Sequence, residues 1–222
     1  MRTRILFASV AIVSAVAVGA FRGGPAPSAF PEPAIDNPVV PGAAPESAVL
    51  AGGCFWGVQA VFQHVKGVVN ATSGYAGGSE KNARYDIVSR GSSGHAESVR
   101  VVYDASQVSF GQLLRIFFAV AHDPTELNRQ GPDEGTQYRS VIFYSGQRQR
   151  EIADAYVEQL TGAKVYRHRI VTQIVPLEAF YPAEEYHQNY YTRHPYEPYI
   201  MINDRPKVDA LKKFFASVYV AR

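Results

Sequence analysis

The sequence predicts an α+β fold, a two-layer α/β sandwich built on a mixed sheet. Short β-branched and aromatic runs alternate along the chain with segments of helical periodicity. The helical segments each carry one apolar face, which places them as a layer over one side of the strands. Composition changes only once in 222 residues, so the chain holds one globular domain with a core of its own.

The elements follow in order. Ser47-Ala48-Val49-Leu50 is a short apolar strand halted by Gly52-Gly53, and Val58, Val61, Phe62 and Val65 then recur at helical spacing. Cys54 therefore falls at a strand-to-helix turn. Residues 68–73 read as a second strand, ended by the turn Gly74-Tyr75-Ala76-Gly77-Gly78, and a loop runs on to about Gly94. From His95 to Tyr103 the β-branched residues mark a third strand, with Glu97 near its start. Ser109 is placed to cap a helix whose apolar face is Leu113, Leu114, Phe117, Phe118 and Val120. His122 to Arg139 is polar, contains Gly131, Pro132 and Gly135, and reads as one long loop. Residues 140–144 then form a strand, 147–160 a helix and 170–177 a strand. An aromatic stretch over 180–199 precedes a last helix from about Pro206 to Val218, with the proline suited to its first turn.

Seven of the 14 prolines fall before Glu46 among Ala, Gly and Ser, so residues 21–46 read as a linker and 47–222 as the domain. Ahead of the linker, Met1-Arg2-Thr3-Arg4 precedes an uncharged apolar run over 5–20, with Val18 and Ala20 as a cleavage pair. That is the grammar of a signal peptide or signal anchor over 1–20. It implies a protein exported to the periplasm, or membrane-anchored and facing outside the cytoplasm. Net charge is +2, and loss of Arg2 and Arg4 with the leader brings it to zero. Nothing in that balance attracts nucleic acid, and without heptads a monomer is expected.

Cys54 is the only cysteine, so it is a structural thiol, half of an intermolecular bridge, or a reactive group. Its setting favours reactivity. An idle thiol is a liability in an oxidising compartment, and Gly52, Gly53 and Gly57 leave room beside the sulfur. The first turn of the following helix points free amides and a positive dipole end at it, which favours thiolate.

Gly53-Cys54-Phe55-Trp56-Gly57 resembles the signature of the peptide methionine sulfoxide reductase A family. Other segments resemble that family in order: Gly74-Tyr75-Ala76-Gly77-Gly78, Gly94-His95-Ala96-Glu97, and His122-Asp123-Pro124-Thr125 running on to Asn128-Arg129-Gln130-Gly131. Asp133-Glu134-Gly135-Thr136-Gln137-Tyr138-Arg139-Ser140 and Ala183-Glu184-Glu185-Tyr186-His187-Gln188 continue the series over most of the domain. The resemblance implies a peptide-methionine (S)-S-oxide reductase, repairing oxidised methionine free or in proteins, with its active site at the N-terminus of the first helix. It implies that Cys54 attacks the sulfoxide and is left as a sulfenic acid. Because a sulfoxide is a poor electrophile until its oxygen is protonated, an acid is required, and the motif gives that role to Glu97. To donate at neutral pH its carboxyl must be held protonated by an apolar pocket, so a raised pKa is expected. Tyr85 and Tyr138 match phenols that hydrogen-bond the sulfoxide oxygen, and Asp133 matches a carboxylate organising that site. Phe55 and Trp56 match the pocket for the S-methyl group.

Many relatives carry a second cysteine near the carboxyl end that resolves the sulfenic acid. The tail here, Phe214-Phe215-Ala216-Ser217-Val218-Tyr219-Val220-Ala221-Arg222, has none. An external thiol is therefore expected, whether a thioredoxin-like protein, glutaredoxin with glutathione, or dithiothreitol in vitro, with no bound cofactor or metal. Ala83-Arg84 precedes Tyr85 where relatives often have Pro-Thr, and Ser89 stands where they often have cysteine.

Two other readings fit parts of the sequence. One is a cysteine hydrolase using Cys54 with His95 or His122 and Asp123 or Asp133. The other is an aromatic cage of Phe55, Trp56 and tyrosines that binds methylated or quaternary ligands. His187 and His194 are seven apart, but Pro195 adjoins and no cysteine or carboxylate completes a metal set. Tyr75, Tyr181, Tyr186, Tyr190, Tyr191, Tyr196 and Tyr199 read as packing residues, with one or two lining the site.

Overall fold

A computed structural model describes residues 30–222; the leader expected over 1–20 lies outside them. The strands are β1 (Pro45–Ala51), β2 (Val68–Ala76), β3 (Ala96–Asp104), β4 (Arg129–Gln130), β5 (Asp133–Glu134), β6 (Val141–Tyr144), β7 (Gln173–Pro176) and β8 (Phe180–Pro182). The helices are α1 (Phe55–Gln63), α2 (Tyr85–Val88), α3 (Phe110–Ile116), α4 (Gln147–Gly162), α5 (Tyr190–Arg193) and α6 (Arg205–Phe214). Two π-helical turns, Phe117–Ala121 and Ile200–Asp204, adjoin α3 and α6.

Six strands form one mixed sheet in the order β7-β6-β1-β3-β2-β8, with β6 and β7 parallel and the other neighbours antiparallel. Period-2 alternation divides each central strand between two apolar layers. Ala48, Leu50, Val99, Val101 and Ile142 face the main core beneath the helices, where Val58, Val61, Phe62, Leu113, Leu114, Tyr156 and Leu211 meet them. Val49, Ala51, Ala76, Ala96, Val141 and Phe143 form a smaller cluster on the opposite face, against Val175, Leu177 and Phe180. Burial on both faces explains why these strands read as continuous apolar runs. The expected α+β architecture is the one observed.

Several elements depart from the sequence reading. The second strand runs on through Gly74 to Ala76 instead of turning there. A Cβ on Gly74 would lie 2.3 Å from the Phe180 ring and 2.4 Å from the Tyr181 carbonyl, so this glycine marks the close approach of β8 inside a strand. The polar segment after His122 contains the hairpin β4–β5, whose two-residue strands are too short for any periodic signal. The α3 helix opens with the expected Ser109 cap, completed by Gln112: Ser109 Oγ accepts from the Gln112 amide at 3.1 Å, and Gln112 Oε1 accepts from the Ser109 amide at 3.0 Å.

Proline content assigned residues 21–46 to a linker, yet the described part of that stretch lies against the domain. Phe30 is buried in the main core, edge-on to Tyr166 at 5.8 Å. Tyr156 donates to the Pro31 carbonyl at 3.1 Å, and Gln159 bridges the Glu32 carbonyl and the Ala34 amide at 2.9 and 3.0 Å. Asp36 accepts from the Gly111 amide at 2.9 Å and from the Ser109 hydroxyl, extending the cap of α3. Proline content gave no sign of this arm because its hold on the domain is one aromatic anchor and scattered polar contacts. Phe30→Ala is expected to cost about 3–5 kcal/mol, the range for emptying a buried aromatic site. At about 2–4 °C per kcal/mol for a domain of this size, the thermal midpoint falls on the order of 10 °C. A melt unchanged within about 2 °C would show that the arm contributes no stability.

Candidate active site

Cys54 ends the turn out of β1 and is the N-cap residue of α1, making no side-chain capping bond of its own. Gly53 before it has φ +89°, a left-handed conformation open to glycine. The room expected beside the paired glycines is not open passage. A Cβ on Gly53 would meet the Gln130 side chain at 2.5 Å, and one on Gly52 would meet His122 and Phe117 at 2.9 Å. The glycines let Gln130 and the His122 ring close beneath the turn, and Cys54 is left 7 % exposed.

That burial reverses one expectation. Removal from water pushes the Cys54 thiol well above its ordinary pKa, and negative charge on Glu97, Asp204 and Asp133 pushes the same way. A hydrogen bond from the Trp56 amide, part of the helix end expected to favour thiolate, pulls down but does not prevail. The resting thiol is therefore protonated.

Glu97 is 2 % exposed on β3 and turns toward the first turn of α1, where its Oε2 accepts from the Phe55 amide at 3.1 Å. Burial pushes its carboxyl up to about 8 against that hydrogen bond, with Asp133 and Asp204 adding to the rise. This is the raised pKa the sequence led us to expect. Protonated Glu97 also removes the largest carboxylate repulsion acting on the Cys54 sulfur. Asp133, half-buried on β5, is raised as well by burial, although the Tyr199 hydroxyl donates to it and Lys207 opposes the rise.

Tyr85 and Tyr138 both lie near the same centre. Both phenols are raised, first by burial and then by Glu97, with Cys54 and Asp133 contributing to each. Glu184 holds Tyr85 in place, accepting from its amide at 2.9 Å and from the Tyr75 hydroxyl at 2.8 Å. With Ala83-Arg84 before it, Tyr85 is held through its own amide. Arg139 anchors Tyr138 by donating to the His95 and Gly94 carbonyls at 3.0 and 2.9 Å, where the chain enters β3.

Phe55 and Trp56 form an aromatic wall next to the sulfur. Phe55 lies against Tyr75 and His187 at 5.9 and 5.0 Å. Trp56 stacks on Tyr190 at 3.8 Å and 7°, meets Tyr199 edge-on at 5.7 Å and 86°, and donates its indole N–H to His187 Nδ1 at 3.2 Å. All seven residues singled out in the sequence converge here.

The histidines do not build a hydrolase. His122 is fully enclosed and held down to about 4 by burial, donating from Nδ1 to the Phe117 carbonyl at 3.1 Å with Nε2 on the Ser140 hydroxyl at 2.7 Å. His95 bonds the Ser79 carbonyl at 3.0 Å. Neither ring makes a hydrogen bond to the Cys54 sulfur. Tyr190 and Tyr199 pack on Trp56 itself and support the indole instead of standing apart from it around a ligand space.

The family model for peptide methionine sulfoxide reductase matches residues 46–218. The chain belongs to the peptide methionine sulfoxide reductase A family. It is a peptide-methionine (S)-S-oxide reductase. Among its relatives, peptide methionine sulfoxide reductase MsrA 2 of Mesorhizobium japonicum is 55 % identical over 185 residues, covering 83 % of this chain and 94 % of that protein. MsrA 2 of Synechocystis is 48 % identical over 202 residues, covering 90 % and 93 %. Among solved structures, methionine sulfoxide reductase A of Corynebacterium diphtheriae superposes with a TM-score of 0.59 at 38 % identity, covering 81 % of this chain and 91 % of that one. Reduced Mxr1 of Saccharomyces cerevisiae superposes with a TM-score of 0.62 at 34 % identity, covering 70 % and 89 %.

Sequence reasoning on this reductase missed the supporting residues. His187 was weighed as a metal ligand but receives the Trp56 N–H, and Tyr190 and Tyr199, read as packing, hold the indole. Gln188 ties that aromatic segment to the sheet, donating to the Ser73 and Ala183 carbonyls at 2.9 and 3.0 Å. Asp204 gave no signal except Gly57, whose missing side chain it fills.

Proposed function

We propose that this reductase works through a sulfenic acid on Cys54 that an external thiol removes. The observation that carries the proposal is the 3.1 Å hydrogen bond from the Phe55 amide to Glu97, which seats a protonated carboxyl beside the first turn of α1 that Cys54 caps. The substrate's S-methyl packs against Phe55 and Trp56, where burial and sulfur–ring contact each contribute roughly one kcal/mol. Glu97, with Tyr85 and Tyr138, holds the sulfoxide oxygen. As Cys54 sulfur attacks the sulfoxide sulfur, the Glu97 proton passes to that oxygen and the thiol's own proton restores Glu97. Collapse moves the oxygen to Cys54 and releases the thioether, so Cys54–SH and sulfoxide become Cys54–SOH and methionine.

Asp133 organises the site through Tyr199. With a single cysteine in the chain, one external thiol displaces water from the sulfenic acid to give a mixed disulfide, and a second releases Cys54. A thioredoxin-like protein or glutaredoxin with glutathione serves in the cell. The leader grammar over 1–20 supports export to the periplasm or anchorage outside the cytoplasm, and the absence of heptads supports a monomer.

Mixing the protein with methionine sulfoxide tests this reading. Without added thiol, one methionine is released per Cys54 and dimedone then labels that residue; with dithiothreitol, turnover continues. Release of several methionines per chain without thiol, or no dimedone adduct after the burst, would defeat the sulfenic route.

A further inference from the structure

We infer that the buried Asp204–Lys207 pair is a positioning pair for Cys54, bracing the first turn of α1 from beneath and, through its charge balance, governing the reactivity of the sulfur. The inference rests on Cys54 being the nucleophile. No motif read from the sequence contains either residue, and the sulfoxide chemistry above makes no use of them.

The geometry begins with Gly57. It lies three residues after Cys54, on the same face of the first helical turn. A Cβ there would fall 2.1 Å from Asp204 Oδ1 and 2.8 Å from Lys207 Nζ, so the glycine exists where the pair presses against the helix. Asp204 is 0 % exposed and Lys207 5 %, and their Nζ–Oδ1 separation is 3.3 Å. Asp204 Oδ2 is buried and has no hydrogen-bond partner.

A half-satisfied carboxylate and an ammonium in the interior stabilise a fold poorly, and an apolar pair of the same volume commonly does as well or better. Its place beneath the reactive helix turn gives a reason for keeping it. The π-helical turn Ile200–Asp204, a distortion that recurs at functional sites, ends on this aspartate and hands over to α6, which carries Lys207.

The pair stands in a ring of ionisable groups. Cys54 faces Asp204 from the N-cap of α1, Glu97 from β3, Asp133 from β5, Tyr199 from the segment before the π-helical turn and Tyr191 from α5. Lys207 is the cation that offsets Asp204 and Asp133, and it also bears on His122. Asp204, and not Lys207, is among the groups acting most strongly on the sulfur. Loss of the carboxylate charge therefore favours ionisation of Cys54, and loss of the ammonium leaves that charge without its offset.

The test is the pH profile of Cys54 alkylation by iodoacetamide, followed from about pH 5 to 10, with sulfoxide turnover and thermal melts measured alongside. Asp204→Asn is expected to raise the alkylation rate at pH 7 about tenfold, moving the profile down by about one pH unit. Lys207→Met is expected to move it up. The double variant, uncharged and of similar volume, remains folded should either single variant fail, and it alkylates about threefold faster than the native protein. Profiles that coincide with the native one in the double variant and in every folded single variant would overturn the pairing, whatever the melts show. Alkylation needs no sulfoxide: a native protein that reduces none would defeat the reductase chemistry instead, and coincident profiles with native turnover intact would defeat the pairing alone.

Discussion

Cys54→Ser is expected to abolish sulfoxide reduction, a loss of about 10⁴-fold or more in kcat/KM, while leaving the protein as stable as before. A serine hydroxyl is not acidic enough to supply an anion in this buried site and forms no sulfenic acid. The stability half of the expectation comes from position. Residue 54 caps α1, and cysteine makes no capping bond there, whereas serine is among the preferred N-cap residues. A melting temperature at or above the native one, together with no methionine release in the presence of dithiothreitol, is the predicted pair of results. Turnover persisting in this variant would mean that another group carries the reaction. A better cap has been passed over at this position, which marks the thiol as kept for its chemistry.

Glu97→Gln is the second large effect. The amide oxygen can still accept from the Phe55 amide, so the geometry survives, but the side chain has no acidic proton to give. A loss of about 10²–10⁴-fold in kcat is expected, the usual contribution of a positioned acid. In the native protein kcat should fall as pH rises through about 8, where burial has placed the carboxyl, and this limb should vanish in the variant. Stability carries a matching signature. A carboxyl whose folded value lies above its unfolded one favours the folded state fully below about pH 4.3, and that advantage is lost as pH rises through the folded value. Native melts between pH 5 and about 9 should therefore fall more steeply than those of Glu97→Gln. A variant retaining a tenth or more of native kcat, with the alkaline limb unchanged, would remove Glu97 from the acid role.

Much of this was legible before any coordinates. Alternation and helical spacing located the larger strands and helices, because elements buried on one or two faces must carry apolar residues at fixed periods. Six of the seven site residues lie in motif segments, Tyr85 being the exception, and antiparallel pairing that sets Tyr75 of β2 beside Glu97 of β3 carries the acid to the site. What escaped notice lacks a period or a local pattern. The arm at Phe30 holds on by one ring, and the β4–β5 hairpin spans two residues a side. His187, Tyr190, Tyr199 and Asp204 act on Trp56 and Cys54, which lie 131 residues or more away in the chain. The raised Cys54 thiol escaped for another reason: a helix end favours an anion, but the desolvation that outweighs it depends on how closely Gln130 and His122 close beneath the turn.

The indole of Trp56 is gripped by a stacked ring, an edge-on ring and a hydrogen bond. Three contacts of different geometry favour one orientation of the ring, so the protein's own side chains shape this surface. A sulfoxide is pyramidal, so the floor proposed for its methyl and the bed proposed for its oxygen together leave one direction for the remaining substituent. On the proposed mechanism handedness is thus chosen by the shape of the site, because the mirror-image oxide cannot seat both its methyl and its oxygen there.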